Sequence, residues 1–195
     1  MSIIRVDESG AVNLVRMNRL LAGVRGGAFK AVKGALNRAG STAKTRAGQF
    51  AASEYTITKS TFMKNVDVQT SVSGNLENSL DSVSINIRYA GNVLPILAFN
   101  TNINRSGMIQ TKIKRNSGSA TLAHAFAARA FGPVAVFERV GTHRFPLEKK
   151  FGPSTAHMMR NERVIELMKD TIISTYERRI EVEINRLLNG WGGRS

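Results

Sequence analysis

The sequence predicts an α+β protein in which a small antiparallel sheet is flanked by long N-terminal and C-terminal helices. Three patterns lead to this expectation: early apolar residues at helical spacing, central alternating strands between turn signals, and a late amphipathic stretch. We place the first helix at about 12–52, the sheet at about 55–150 and the last helix at about 156–188. They belong to one predicted domain, 1–190, followed by a flexible tail, 191–195.

The N-terminal helix is predicted from small or apolar residues that recur every three or four positions, from Leu21 through Ala35 to Phe50. Several glycines weaken it, each by about 1 kcal/mol relative to alanine in an isolated helix. We expect a break near Gly26 and Gly27. The small-residue stripe is suited to close packing against another helix or a neighbouring subunit.

Alternation of apolar and polar residues predicts the central strands. Residues 76–89 show it most clearly, and residues 108–114 show it again. Residues 132–139 are predicted to form a further strand. Residues 122–131 are compatible with either a strand or a short helix. Pro95 keeps the short apolar segment around it out of a central strand, because proline cannot donate to a sheet ladder.

Turn and capping signals separate these elements. Ser60 is expected to cap a helical turn that reaches Val66. Residues 141–146 and 151–154 are predicted turns, because glycine and proline punctuate both. The C-terminal helix follows, and Gly190 is its expected stop. Its apolar stripe consists of Ile165, Met168, Ile172, Tyr176, Ile180, Ile184 and Leu187.

Charge is the most unusual property of the chain. Its 28 Lys and Arg residues outnumber its 14 Asp and Glu residues, which gives a net charge of +14 and indicates an anionic partner or an acidic docking surface. Residues 9–53 and 82–137 contain no acid, whereas residues 160–189 are balanced. The alternative for the basic N-terminal stretch is a solvated helix face. Its candidate contacts to DNA or an acidic partner are Arg16, Arg19, Arg25, Lys30, Lys33, Arg38, Lys44 and Arg46.

The sequence offers no recognisable catalytic or metal-binding pattern, so we expect a protein that is not an enzyme and needs no cofactor. There is no cysteine, and His124, His143 and His157 have no metal-ligand spacing. No nucleophile elbow or phosphate-binding glycine loop is present. The longest apolar stretch, residues 93–99, is too short to span a bilayer, and no secretory signal pattern is found at the N-terminus.

A series of short motifs resembles the minor tail protein Z family of long-tailed bacteriophages. Residues 134–141 (VAVFERVG) and 144–147 (RFPL) are similar to a family strand and turn of the form VFxRxGxxRxPI. Residues 151–154 (FGPS) and Met158 then lead into a charged final helix, as in the family.

The N-terminal half shows the same resemblance. Residues 35–39 (ALNRA) and 43–46 (AKTR) are similar to the family helix ALNRA…ARTRA. Residues 55–58 (YTIT) correspond to its YNI segment, and residues 95–99 (PILAF) to its PIPLxxF stretch. The ordered motifs cover about residues 28–188, nearly the whole chain.

The resemblance implies a virion protein that forms a homo-oligomeric ring at the head-proximal end of the tail, completes the tail and permits head–tail joining. It implies a hexamer, with a dodecamer as the alternative, and adjacent tail-terminator and head-completion or connector proteins as partners, after assembly in the host cytoplasm. Genomic DNA in the channel is a further, nonspecific partner. Two other functions stay open: an independent nonspecific DNA-binding protein, and a morphogenesis factor absent from the mature virion.

The expected ring-interface residues lie in and after the strand that carries the resemblance. Paired arginines bind carboxylates in a bidentate manner, which favours the two arginines of this set. For the three phenylalanines, ordinary core packing is the alternative. The interface residues are Phe137, Arg139, Arg144, Phe145, Pro146 and Phe151.

Overall fold

Two long helices flank a run of ten short strands in the part of the chain that the computed structural model describes, and one further strand precedes the first helix, which confirms the α+β class. The described residues are 2–7 (backbone only), 16–17, 19–73, 84–129 and 132–190. The helices are α1 (Gly27–Glu54), α2 (Lys59–Lys64), α3 (Thr155–Met158) and α4 (Glu162–Leu188). The strands are β1 (Ser2–Asp7), β2 (Asp67–Ser73), β3 (Ser84–Ala90), β4 (Val93–Pro95), β5 (Asn100–Ile103), β6 (Ile109–Lys112), β7 (Ala120–Leu122), β8 (Ala125–Ala128), β9 (Ala135–Arg139), β10 (Leu147–Lys149) and β11 (Phe151–Ser154).

The chain divides into two compact units, each with its own buried cluster. The sheet-rich unit comprises Met1–Ser2, Ala47–Asp67 and Tyr89–Val164. The helical unit comprises Ile3–Arg46, Val68–Arg88 and Ile165–Ser195. The extent of the predicted 1–190 domain stays a prediction.

Helix α1 begins where the sequence predicts a break. Gly26 has a φ of +64°, a left-handed conformation that glycine adopts without steric cost, and its carbonyl accepts the N–H of Lys30 at 3.0 Å. Residues 16–17 and 19–20 are helical, and residues 12–15 of the predicted helix lie outside the described residues. The helix ends at Glu54, two residues after the predicted limit of about 52.

The helical unit is held together by small side chains on α1. Ala31, Ala35, Ala39 and Ala43 are fully buried, so this face of the helix meets its neighbours at close range. A Cβ on Gly40 would lie 2.6 Å from Cδ1 of Ile85, so the absence of a side chain there brings α1 and β3 together. At the helix start, Leu21, Ala31 and Leu187 form a cluster with Val24, Ile180 and Ile184 packed against it.

The sheet of the helical unit has the strand order β1-β3-β2, with β3 in the centre. Ile85 and Ile87 of β3 are fully buried, as the alternation predicts. Ser84 departs from the alternation, since it is also buried, and its hydroxyl is hydrogen-bonded to that of Ser73 at 3.1 Å. Residues 76–83 of the predicted strand lie outside the described residues.

The described residues of the sheet-rich unit form three small antiparallel sheets instead of the one that the sequence predicts. Their strand orders are β10-β9-β8, β5-β6-β7 and β11-β4. Ile96, Ile109 and Val136 form the buried cluster, to which Leu97 and Ile113 add partly buried side chains. Strands of three to five residues give each sheet only a few ladder bonds, so this apolar cluster supports them.

Two local predictions in this unit are wrong. Thr58, not Ser60, caps α2, because its hydroxyl accepts the N–H of Thr61 at 3.1 Å. Residues 151–154 form strand β11 and not a turn, since they pair with β4 from Phe151 opposite Pro95 to Ser154 opposite Val93. Pro95 lies in a two-stranded sheet, which has no central strand, so the prediction that it stays out of a central strand is confirmed.

The predicted C-terminal helix is in fact two helices, α3 and α4, and a capping side chain precedes the start of each. The Ser154 hydroxyl accepts the N–H of His157 at 3.1 Å and begins α3. The side-chain Oδ1 of Asn161 accepts the N–H of Arg163 at 3.1 Å, and α4 begins at the next residue, Glu162. From there the predicted stripe holds: Met168 and Ile172 are buried, and α4 ends at Leu188.

We expect Gly91→Ala to destabilise the protein. A Cβ there would lie 2.5 Å from the carbonyl oxygen of Asn65, an atom that also accepts a hydrogen bond from the Thr155 hydroxyl. Relief requires movement of backbone, so the free energy of unfolding should fall by about 1–3 kcal/mol. Gly118→Ala is the control, because a Cβ there meets nothing within 4 Å. Equal urea midpoints for the two variants would contradict the close packing at Gly91.

Candidate partner-binding surfaces

The antiparallel pair β9–β10 presents the segment that carries the family resemblance. Its register places Leu147 opposite Arg139 and Lys149 opposite Phe137. The connecting residues 140–146 are exposed throughout, and the N–H of Val140 donates to the carbonyl of Pro146 at 3.3 Å. The predicted turn at 141–146 is therefore confirmed, and it projects side chains into solvent.

Three cations stack on aromatic rings along this hairpin and beside it. Their distances to the ring centroids are 4.8 Å for Arg139 over Phe126, 5.7 Å for Arg144 over Phe145, and 5.4 Å for Lys149 over Phe151. Such pairs contribute about 0.5–1 kcal/mol each at exposed sites. We call this surface the cation–aromatic ledge; it consists of Phe126, Arg139, Arg144, Phe145, Lys149 and Phe151.

The ledge keeps a positive charge because nearby carboxylates are already paired with another cation. Lys150 forms an ion pair with Glu138 and lies 3.6 Å from Glu148. The hydrogen bond from Lys150 lowers the pKa of Glu138, and the same bond raises the pKa of Lys150. Within the described residues Arg139, Arg144 and Lys149 have no carboxylate partner. They are available to carboxylates of another molecule.

The expected interface residues divide between surface and core. Phe145 is 58% exposed and Phe151 is 47% exposed, so the core alternative does not hold for these two rings. It holds for Phe137, which is 5% exposed and packs against Phe126 with ring centroids 6.5 Å apart. β9 is the central strand of its sheet, and its first three residues are buried on both faces. Arg139, Arg144 and Pro146 are exposed.

The basic N-terminal residues form a second candidate surface. All eight are exposed, and none makes an ion pair with another described residue. Lys30, Lys33 and Lys44 share one face of α1, whereas Arg38 and Arg46 lie off that face. The Lys33 ammonium lies 5.6 Å from the centroid of the Phe29 ring. The surface suits contacts to phosphate or carboxylate groups better than stacking of bases.

α4 carries an acidic face that the balanced charge of residues 160–189 does not reveal. Glu166, Asp170, Glu177 and Glu181 are all exposed and are spaced by four, seven and four residues. That spacing keeps them on one side of a helix. The spacing was visible in the sequence, but only the buried positions of α4 identify this side as the solvent face.

The described residues contain no candidate metal-binding cluster. No group of three or more His, Asp or Glu side chains there is placed to hold a metal ion, and the three histidines are exposed. A shallow groove beside the ledge is lined by His124, Glu138 and Thr142. No described helix combines the length and apolar character needed to cross a membrane.

The chain matches no protein-family model, no curated protein and no solved structure. Both basic surfaces expose cations that form no ion pair with another described residue, and the ledge adds exposed aromatic rings to that charge.

The Glu138 carboxyl should titrate below the ordinary glutamate value of about 4.3. Its pKa is lowered in the folded protein, so the stabilisation from its ion pair is complete above the unfolded pKa and is lost as pH falls through the folded pKa. Carboxyl-carbon NMR titration measures this midpoint. Lys150→Met should return it toward the ordinary value, and Lys149→Met should leave it unchanged. Equal midpoints in the two variants would exclude Lys150 as the cause.

Proposed function

We propose that the protein is a structural virion protein of a tailed bacteriophage and has no enzymatic activity. It forms a ring at the head-proximal end of the tail, completes the tail and permits head–tail joining. The cation–aromatic ledge carries this proposal, because it combines exposed rings with unpaired cations on the β9–β10 hairpin and beside it. Aromatic and arginine side chains are enriched in protein–protein interfaces and supply most of their binding energy.

The family resemblance supports the proposed tail role, since its C-terminal motifs lie on consecutive secondary-structure elements. The stretch 134–147 forms β9, the exposed turn and the start of β10. The FGPS motif forms β11, whose last residue, Ser154, caps α3. Each motif is short, and their value lies in their order along the chain and in the surface that they build together.

The proposed partners follow from the position in the particle. The ring is a hexamer, to match the sixfold symmetry of tail tubes, with a dodecameric collar as the alternative. Its neighbours are the tail-terminator and head-completion or connector proteins, and carboxylates on one of them pair with Arg139 and Arg144. The ring is assembled in the host cytoplasm and stays in the virion.

A second candidate function is nonspecific DNA binding by the eight exposed basic residues that precede and line α1. Free protein with this function binds duplex DNA tightly, and its affinity falls steeply with salt as phosphate counterions are released. A ring component that meets DNA only in the assembled channel binds it weakly as a free chain. A morphogenesis factor differs from both, because purified virions lack it.

Deleting the gene from its parent phage tests the proposed role directly. We expect negative-stain electron microscopy of the lysate to show filled heads beside separate, unjoined tails. Complementation with the intact gene should restore joined particles, and the protein should be detected in purified virions. Intact infectious particles from the deletion strain would refute the role and leave DNA binding as the leading function.

Arg139→Ala combined with Arg144→Ala should yield a folded protein that fails to complete tails. Both side chains are exposed, so loss of their cation–aromatic contacts should lower the free energy of unfolding by no more than about 1 kcal/mol per site. The matched control is Arg178→Ala combined with Arg179→Ala, which removes two exposed arginines from α4. Complementation of the deletion phage by each variant is the readout. Normal virion yield from the hairpin variant would exclude the ledge as the joining surface.

A further inference from the structure

The solvent face of α1 in the helical unit is a row of lysines. Lys30, Lys33 and Lys44 lie within about 60° of one another around the helix axis, at 3.6 residues per turn. They extend over about 21 Å of helix at 1.5 Å per residue. All three are exposed, and the opposite side of the helix holds the buried alanines. We call this row the lysine face.

The solvent face of α4 in the same unit has the opposite charge. Glu166, Asp170, Glu177 and Glu181 also lie within about 60° of one another and extend over about 22 Å. Ile173 lies on this side, in the gap between Asp170 and Glu177, and is 46% exposed. We call these five residues the carboxylate face. It matches the lysine face in length and adds an apolar side chain that water solvates poorly.

The two faces do not neutralise each other within one chain. None of their charged residues makes an ion pair with another described residue. The sides of α1 and α4 that do meet in this unit are others: a Cβ on Gly34 would lie 2.9 Å from Oε2 of Glu183. Each copy therefore carries two separate surfaces of opposite charge and similar length.

We propose that the lysine face of one copy docks on the carboxylate face of the next copy. Because the two surfaces differ, the contact is heterologous, and repetition of a heterologous contact closes into a ring when the rotation allows. The contact rests on the proposed function for its place in the tail, whereas the self-association itself is a property of the isolated chain. Ile173 then faces the part of the lysine face between Lys33 and Lys44, where Asn37 and Ser41 are exposed and uncharged, since Arg38 lies off that face.

Charge reversal of each face tests the contact. One variant carries Lys30→Glu, Lys33→Glu and Lys44→Glu, and the other carries Asp170→Lys, Glu177→Lys and Glu181→Lys. Sedimentation velocity of the full chain should show association of the unaltered protein at low salt and its loss at high salt, because the Debye length shortens to about 3 Å at 1 M. Each variant alone should be monomeric, since it presents two faces of the same sign.

An equimolar mixture of the two variants should associate again, because each face then meets the opposite charge. The control is Arg38→Glu combined with Arg46→Glu, which reverses two exposed charges of α1 outside the lysine face and should leave association intact. Circular dichroism checks that every variant keeps its helices. Restored association of the mixture supports the contact.

Three results would overturn the contact: a monomeric unaltered protein at low salt, a mixture that stays monomeric, or equal loss of association in the control. Duplex DNA binding that is abolished by the lysine reversal in a monomeric protein would assign that face to DNA instead. The tail role and the contact between copies can be refuted independently. Self-association with intact virions from the deletion phage would refute the tail role alone, and unjoined tails with a monomeric protein would refute the contact alone.

Discussion

Close packing on the small-residue face of α1 is the constraint on which both units depend. In the helical unit, alanines and Gly40 let β3 reach the helix surface, where a single added Cβ would collide with Ile85. In the sheet-rich unit, a Cβ on Gly48 would lie 2.9 Å from Lys59 and 3.0 Å from Met63 of α2. Such a helix contributes little apolar area of its own, so its stability comes from the larger side chains of its neighbours.

This mode of packing has a consequence for charge. The buried face of α1 is occupied mainly by alanine and glycine, with Val32 and Leu36. Its long cationic side chains all lie toward solvent, where no described carboxylate pairs with them. The cations of the β9–β10 hairpin are also unpaired, but for a different reason: Lys150 forms the ion pairs with Glu138 and Glu148. Self-repulsion among unpaired cations destabilises an isolated chain and favours a partner that brings negative charge.

The burial of each side chain in the fold, more than the sequence pattern, decides which residues of the candidate site are available to a partner. Phe137, Phe145 and Phe151 look alike in the sequence, yet one is in the core and two are exposed. β9 is the central strand of its sheet, and its first three residues, which include Phe137, are buried. Phe145 follows the end of this strand, and Phe151 lies in a two-stranded ribbon. A central strand buries successive residues, so alternation alone does not place them.

The sequence by itself determined the α+β class, the break at Gly26, the stripe of α4 and the excess of basic residues, because these depend on local periodicity, glycine geometry and composition. Tertiary structure decided the rest. The division into several short sheets follows from pairings between residues far apart in the chain, such as β4 with β11, which local propensity does not encode. The acidic side of α4 likewise became a surface only once packing showed which side of the helix is buried.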